Sequence, residues 1–250
     1  MRRCAALGLV IIAALYANGC GSKNSTGATT ASPQTKTFTP APGDAGSQGS
    51  SGGNATVNVV DAGFTRTDKQ TSDISYGIVL ENVSTTDDAF DIQVTANFVG
   101  PSGTIMLTEG DTIGVIPAGT RYYYAGQTFP SKSDKTTKLE TTVTVGSSAP
   151  AAYVFPEISD VRMSWDQYLG LQVRGVVKNP YQEAISSYAT IFVVCFNESG
   201  RVVGGGYTFL DNDLPPGGRA AFEAGNGLMS LKKGDVRSVK VTMGNGDLLQ

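Results

Sequence analysis

The chain has 250 residues, 40% of them hydrophobic, with a formal net charge of −3 and no histidine. The lack of imidazole excludes Ser-His-Asp and Cys-His catalysis, histidine-ligated zinc and a histidine-based pH switch. The weakly acidic balance offers no basic face for nucleic acid, so no nucleic-acid partner is expected.

The N-terminal segment has the organisation of a signal peptide. Arg2 and Arg3 precede an apolar stretch, residues 4–16, that is too short to span a bilayer. The sequence Ala-Asn-Gly-Cys follows at residues 17–20 and resembles the bacterial lipobox, and that resemblance implies cleavage before Cys20 and lipid attachment to it. We therefore predict a lipoprotein signal peptide over residues 1–19. Ordinary secretion with cleavage nearby, leaving Cys20 as a free thiol, is the alternative.

A polar segment follows the predicted anchor. Residues 20–55 are rich in Ser, Thr, Gly and Pro, and Phe38 is their only large apolar residue. Such a stretch cannot bury enough apolar surface to offset the entropy of ordering it. We expect a disordered tether that spans on the order of 30 Å and lifts a folded part off a membrane.

From Thr56 onward the sequence changes to short alternating runs, and its punctuating residues recur at an offset of 97 or 98. The pairs are Asn82 and Asn179, Gly103 and Gly200, Gly119 and Gly217, Arg121 and Arg219, Tyr124 and Phe222, and Val143 and Val241. Alternation with period 2, interrupted about every ten residues by turn residues, is typical of a β-sandwich. We predict an all-β fold with two tandem immunoglobulin-like domains, 56–147 and 152–250.

Each repeat contains two alternating runs whose apolar members should face its core. They are Ile74, Tyr76, Ile78 and Leu80, then Ile92, Val94, Ala96 and Phe98 in the first repeat, and Leu171, Val173, Gly175 and Val177, then Ala189, Ile191, Val193 and Cys195 in the second. Each repeat is long enough to bury its own core. We expect residues 146–150 to be a short linker, the domains to meet end to end, and each to unfold separately.

The order of these features resembles a known family. An alternating strand, Asn, a second strand, a turn Gly, Leu-Pro-x-Gly and an aromatic strand look like the FxLyD-type immunoglobulin-like domain of bacterial surface proteins. Where that family has an aromatic residue followed by Asp, the second repeat has Phe196-Asn197 and the first has Val99-Gly100. The resemblance implies a β-sandwich in the cell envelope and supplies no catalytic residue.

Tyr123 is the residue that we single out as a contact for a partner or ligand. It lies between two inward-facing tyrosines and aligns with Ala221, so the fold does not require its ring. An exposed tyrosine can stack on a sugar or anchor a protein. The alternative is cross-strand packing on an outer sheet face.

The other candidates have structural explanations. We expect Cys195 to be a buried core thiol, and Trp165 to fill the domain junction. Residues 211–213 are read as a polar turn or, alternatively, a calcium loop, and Asp87 and Asp88 as a solvated hairpin tip. Gly204 and the two glycines after it suggest a bulge or a close approach of backbones.

The functional prediction is a non-catalytic, lipid-anchored envelope protein that presents its domains for binding or scaffolding. No catalytic residue, metal site or cofactor is assigned. The expected partners are the membrane, through Cys20, and an unidentified envelope protein or glycan. The alternatives are an envelope enzyme that uses carboxylate, Ser or Lys residues, and a solute-binding lipoprotein.

Overall fold

The computed structural model of this chain describes residues 55–66, 73–129, 136–225 and 227–244. The predicted signal peptide, Cys20 and the tether up to residue 54 lie outside these ranges. Within them, no helix is long and apolar enough to cross a membrane.

The described residues form thirteen β-strands and one 3₁₀ turn, Leu228–Ser230. Repeat 1 comprises β1 (Val57–Arg66), β2 (Ile74–Asn82), β3 (Asp87–Val99), β4 (Ile105–Ile116), β5 (Arg121–Thr128), β6 (Lys138–Thr144) and β7 (Ser147–Pro150). Repeat 2 comprises β8 (Glu157–Asp166), β9 (Gly170–Lys178), β10 (Thr190–Phe196), β11 (Val202–Phe209), β12 (Arg219–Ala224) and β13 (Ser238–Met243). The prediction of an all-β, sandwich-like fold is confirmed.

The two repeats have the same strand order. In repeat 1, sheet A has the order β1-β2-β5, and sheet B has the order β4-β3-β6, with β7 also paired to β3. In repeat 2, sheet C has the order β8-β9-β12 and sheet D has the order β11-β10-β13. All pairings are antiparallel. The first, second and fifth strands therefore share one sheet in each repeat, and the third, fourth and sixth share the other.

Two asparagines at equivalent positions hold equivalent loops. Asn82 and Asn179 are completely buried. Each side-chain amide donates a hydrogen bond to a carbonyl oxygen ahead of the fifth strand, Asn82 to Ile116 and Asn179 to Leu214, both at 3.0 Å. A buried amide must find such partners because leaving it unpaired costs about 1–3 kcal/mol. The recurrence of Asn in the sequence thus reflects a recurring hydrogen-bond pattern.

The predicted inward faces are confirmed. The apolar members of the runs in β2, β3, β9 and β10 are all buried. Cys195 is a fully buried free thiol, and burial raises its pKa to about 12. A thiol in this state stays protonated near neutral pH and acts as a small apolar side chain.

The predicted relation between the repeats is wrong. Residues 147–150, expected to be linker, form β7 and pair with β3. The repeats do not meet end to end, because the outer face of sheet A packs against sheet D. Three residues of repeat 2, Phe192, Val194 and Val202, belong to the same buried apolar cluster as the core of repeat 1.

The positions of two side chains, Asp88 and Trp165, differ from those predicted from the sequence. Asp88 is not at a solvated tip, since it is buried and its carboxylate accepts three backbone N–H groups at 2.8–2.9 Å. The donors belong to Ala118, Ala152 and Tyr153, so Asp88 ties the chain that leaves repeat 1 to the loop before β5. Trp165 packs on the core cluster of repeat 2 and does not fill the junction.

Candidate functional site: the seam between the repeats

The surface where sheet A meets sheet D, termed the seam, has glycine at its closest approaches. A Cβ atom on Gly77 of β2 would lie 2.8 Å from the carbonyl oxygen of Gly204 and 3.0 Å from a methyl carbon of Val194. A Cβ atom on Gly205 of β11 would lie 2.6 Å from the Cβ of Ala125 in β5 and 3.1 Å from the carbonyl oxygen of Tyr76 in β2. Glycine is required here because only a residue without a side chain lets two sheets come so close. This confirms the predicted close backbone approach at residues 204–206.

The strands of the two sheets cross at the seam. Along β2, Ser75 contacts Gly205 of β11, and Gly77 faces β10 and β11. Farther along, Val79 lines a cavity together with Lys240 of β13. Strand β2 of sheet A thus crosses β11 and β10 of sheet D and ends beside the cavity that β13 also lines.

Buried polar contacts fix the register of this crossing. The Ser75 hydroxyl is completely buried, donates to the Gly205 carbonyl oxygen at 2.6 Å and accepts from its N–H at 2.9 Å. At the rim, Asp61 accepts two hydrogen bonds from Arg201, at 2.8 and 3.1 Å. These contacts are directional, so they select one arrangement of the repeats as well as stabilising it.

Tyr123 lies on the outer face of sheet A, as predicted, but sheet D covers that face. Its ring is half-buried and packs edge-on against Phe196, with 6.3 Å between ring centroids. Its backbone N–H donates to the Thr242 hydroxyl at 3.2 Å. The equivalent Ala221 in sheet C is exposed. The ring of Tyr123 is therefore a part of the seam and not an isolated surface residue.

A cavity of about 230 Å³ opens beside Tyr123, where the two sheets diverge; it is termed the seam pocket. Its apolar wall consists of Val60, Val79, Tyr123 and Phe196. Asp61, Arg121, Gly200, Ser238 and Lys240 form its polar rim.

A second cleft, of about 220 Å³, lies farther along the seam and is lined by tyrosine side chains. Tyr76 and Tyr124 share a hydrogen bond, and Tyr124 also bonds the carboxylate of Asp111. Burial raises the pKa of Tyr76 to about 12 and that of Tyr124 further, with Asp111 adding to both shifts. Both phenols therefore remain neutral at physiological pH and act as hydrogen-bonding groups, not as nucleophiles or bases.

The other residues that the sequence singles out as candidates for a site do not line the seam pocket. Asp213, in the polar segment 211–213, accepts a hydrogen bond from the backbone N–H of Ser187 at 2.8 Å, so its carboxylate joins two loops of repeat 2. No group of three or more Cys, Asp or Glu side chains within the described ranges is arranged to hold a metal ion. Sequence reasoning found Tyr123 but missed every other residue of the pocket, because they come from both repeats.

No protein-family model matches this sequence, and no curated protein sequence is significantly similar to it. Among solved structures, the chain is similar to a transglutaminase from red sea bream, with 10% identity and a TM-score of 0.24 over 76% of this chain. The chain spans 28% of that protein's length. A second similarity is to procruciferin, an 11S globulin from Brassica napus, with 8% identity and a TM-score of 0.14 over 74% of this chain and 85% of the globulin.

Proposed function

We propose that this chain is a non-catalytic, lipid-anchored protein of the bacterial cell envelope. A tether follows the lipidated Cys20 and presents two immunoglobulin-like sandwiches for binding or scaffolding. The expected partner is an envelope protein or a glycan.

The strand order of each repeat supports the immunoglobulin-like assignment. In immunoglobulin sandwiches the A, B and E strands share one sheet, and the C and F strands share the other. In repeat 1, β1, β2 and β5 correspond to A, B and E, and β3 and β6 correspond to C and F. The same correspondence applies to repeat 2.

The observation that carries the binding role is the composition of the seam pocket. Its walls are apolar side chains, from the buried Val79 to the exposed Val60, under a charged rim, which is the usual character of a small binding site. The groups most suited to covalent catalysis are unreactive near neutral pH, since burial keeps the Cys195 thiol and the Tyr76 and Tyr124 phenols protonated by raising the pKa of each. Binding fits this arrangement better than an envelope enzyme does.

The anchor is tested with a pair of cysteine variants and metabolic fatty-acid labelling. Cys20→Ala should remain unprocessed or leave the membrane fraction, whereas Cys195→Ala should stay attached and labelled. Wild-type protein that incorporates no fatty acid would refute the anchor.

The binding role is tested by capture of a partner from envelope extract with the wild-type chain and with Tyr123→Ala. A broad hydrolase screen of the purified protein is the counter-test. Activity abolished by one carboxylate substitution would favour the enzyme alternative.

A further inference from the structure

A β-bulge shapes the wall of the seam pocket. The pairing of β1 with β2 shifts between Val59 and Asp61, which leaves Val60 outside the ladder and 44% exposed. Bulges redirect side chains and are frequent beside binding sites. The bulge places Val60 next to Tyr123 and Phe196 in the wall of the seam pocket. These apolar side chains therefore line a cavity that is open to solvent.

The negative charge at the rim is already satisfied. Asp61 accepts four hydrogen bonds, two from Arg201 and one each from the backbone N–H groups of Ala62 and Val202. Four bonds use the acceptor capacity of a carboxylate. Asp61 is therefore unavailable to a ligand, and Arg201 neutralises its charge.

The positive groups at the rim are, in contrast, incompletely used. Arg121 bonds Glu81 through Nε alone, at 3.1 Å, so its two terminal amino groups have no acceptor among the described residues. Lys240 forms no ion pair within the part of the chain that the structure describes, and Ser238 offers a hydroxyl beside it. The unfilled donors around the mouth thus favour an anion.

The corresponding arginine of repeat 2 also keeps unused donors among the described residues, but it has no aromatic wall beside it. Arg219, which corresponds to Arg121, donates to Ser159 at 3.3 Å and lies 4.0 Å from the Asp160 carboxylate. The ring of Tyr123 is replaced by Ala221. Of these two equivalent positions, the one at the seam therefore combines an arginine with unused donors and an aromatic wall, whereas the one in repeat 2 does not.

We propose that the seam pocket binds a small aromatic carboxylate, with the ring against Tyr123 and Phe196 and the carboxylate at Arg121 and Lys240. The volume of the pocket suits such a ligand. A cavity of 230 Å³ has room for about eight non-hydrogen groups of the size of a water molecule, which is about the size of a small aromatic carboxylate. A guanidinium group beside an ammonium group is a suitable pair of donors for a carboxylate. This proposal rests on the proposed binding role and gives it a ligand class.

The test is a titration of the full-length protein with benzoate, in which binding is measured by NMR or calorimetry. Benzyl alcohol and benzylamine have the same ring with a neutral or a cationic group, and each should bind at least tenfold more weakly than benzoate. Lys240→Glu should weaken benzoate binding tenfold or more, since it removes a charged hydrogen bond and adds repulsion. Lys232→Glu makes the same charge change at an exposed site outside the pocket and should leave binding unchanged.

A second pair of variants separates the pocket from effects on folding. Tyr123→Leu keeps an apolar wall and should weaken benzoate binding without moving the unfolding midpoint of the ligand-free protein by as much as Tyr123→Ala does. Benzoate binding that is absent in the wild type, or equal in Lys240→Glu and Lys232→Glu, would overturn the proposal. Absent benzoate binding with intact lipid labelling and partner capture would refute the ligand class alone and leave the proposed function standing.

Discussion

Gly77→Ala is the substitution that most directly probes the close contact at the seam. The added methyl group would lie 2.8 Å from the Gly204 carbonyl oxygen and about as close to the Val194 and Val202 methyl groups. Backbone cannot move aside as a flexible side chain can, so the two sheets must separate. Overpacking of this kind typically costs 1–3 kcal/mol, and we expect about 2 kcal/mol here.

Gly110→Ala is the matched control. Gly110 is an exposed glycine within strand β4, and an added Cβ would meet only the Val94 carbonyl oxygen, at 3.7 Å. Replacing a glycine by alanine without strain stabilises a protein by about 0.4–1 kcal/mol, because the unfolded chain loses freedom. Urea unfolding followed by circular dichroism should therefore place the two variants about 2–3 kcal/mol apart, with equal m-values. Equal midpoints would show that the repeats are not in close contact at Gly77.

Two further predictions concern buried ionisable groups. Cys195 and Tyr76 both have pKa values raised to about 12, from 9 and 10 respectively, by burial. The unfolded chain loses these protons first, so their stabilising contribution is complete below pH 9 and is lost as the pH rises toward 12. Urea midpoints should fall over this range, and less steeply in Tyr76→Phe above pH 10; a flat profile would contradict burial of these groups. Asp88→Ala should lower the free energy of unfolding by about 3 kcal/mol or more, since three backbone N–H groups lose their acceptor. The control is Asp211→Ala at an exposed site, which should change the free energy of unfolding by no more than about 0.5 kcal/mol. Equal effects of the two substitutions would mean that Asp88 is solvated.

The fold of each repeat could be predicted from the sequence because its causes are local and occur twice. Alternation with period 2 determines which side chains of a strand face the core. Asn82 and Asn179 recur because the loop that each one holds recurs. These features depend on residues within one repeat, so a single sequence with an internal duplication displays them.

The seam could not be predicted in this way, because it depends on where the repeats differ. Sheet D has Phe192 and Val194 on its outer face, where the equivalent positions of sheet B have Thr95 and Asn97. Apolar residues on both faces of β10 were a signal that both faces are covered.

Sheet A carries the complementary signal. Gly77 stands where sheet C has the exposed Arg174. A glycine in the middle of a strand marks a close approach of another backbone. The offset of 97 or 98 is visible at positions that the repeats share, whereas Gly77 and Tyr123 differ from their counterparts. The sequence therefore predicts an exposed Tyr123, which sheet D half-buries.

We expect the two repeats to unfold as one cooperative unit because they pack together at the seam, and Trp165 allows a direct test of this. This only tryptophan packs in repeat 2, so its fluorescence reports unfolding of that repeat, whereas circular dichroism reports both. Ile78→Ala removes a fully buried side chain from repeat 1 and should cost about 2–5 kcal/mol. If the repeats unfold together, the Trp165 transition should move to lower urea by the same amount as the circular dichroism transition. A Trp165 transition that stays at the wild-type midpoint while circular dichroism shows an earlier step would mean that the repeats unfold independently.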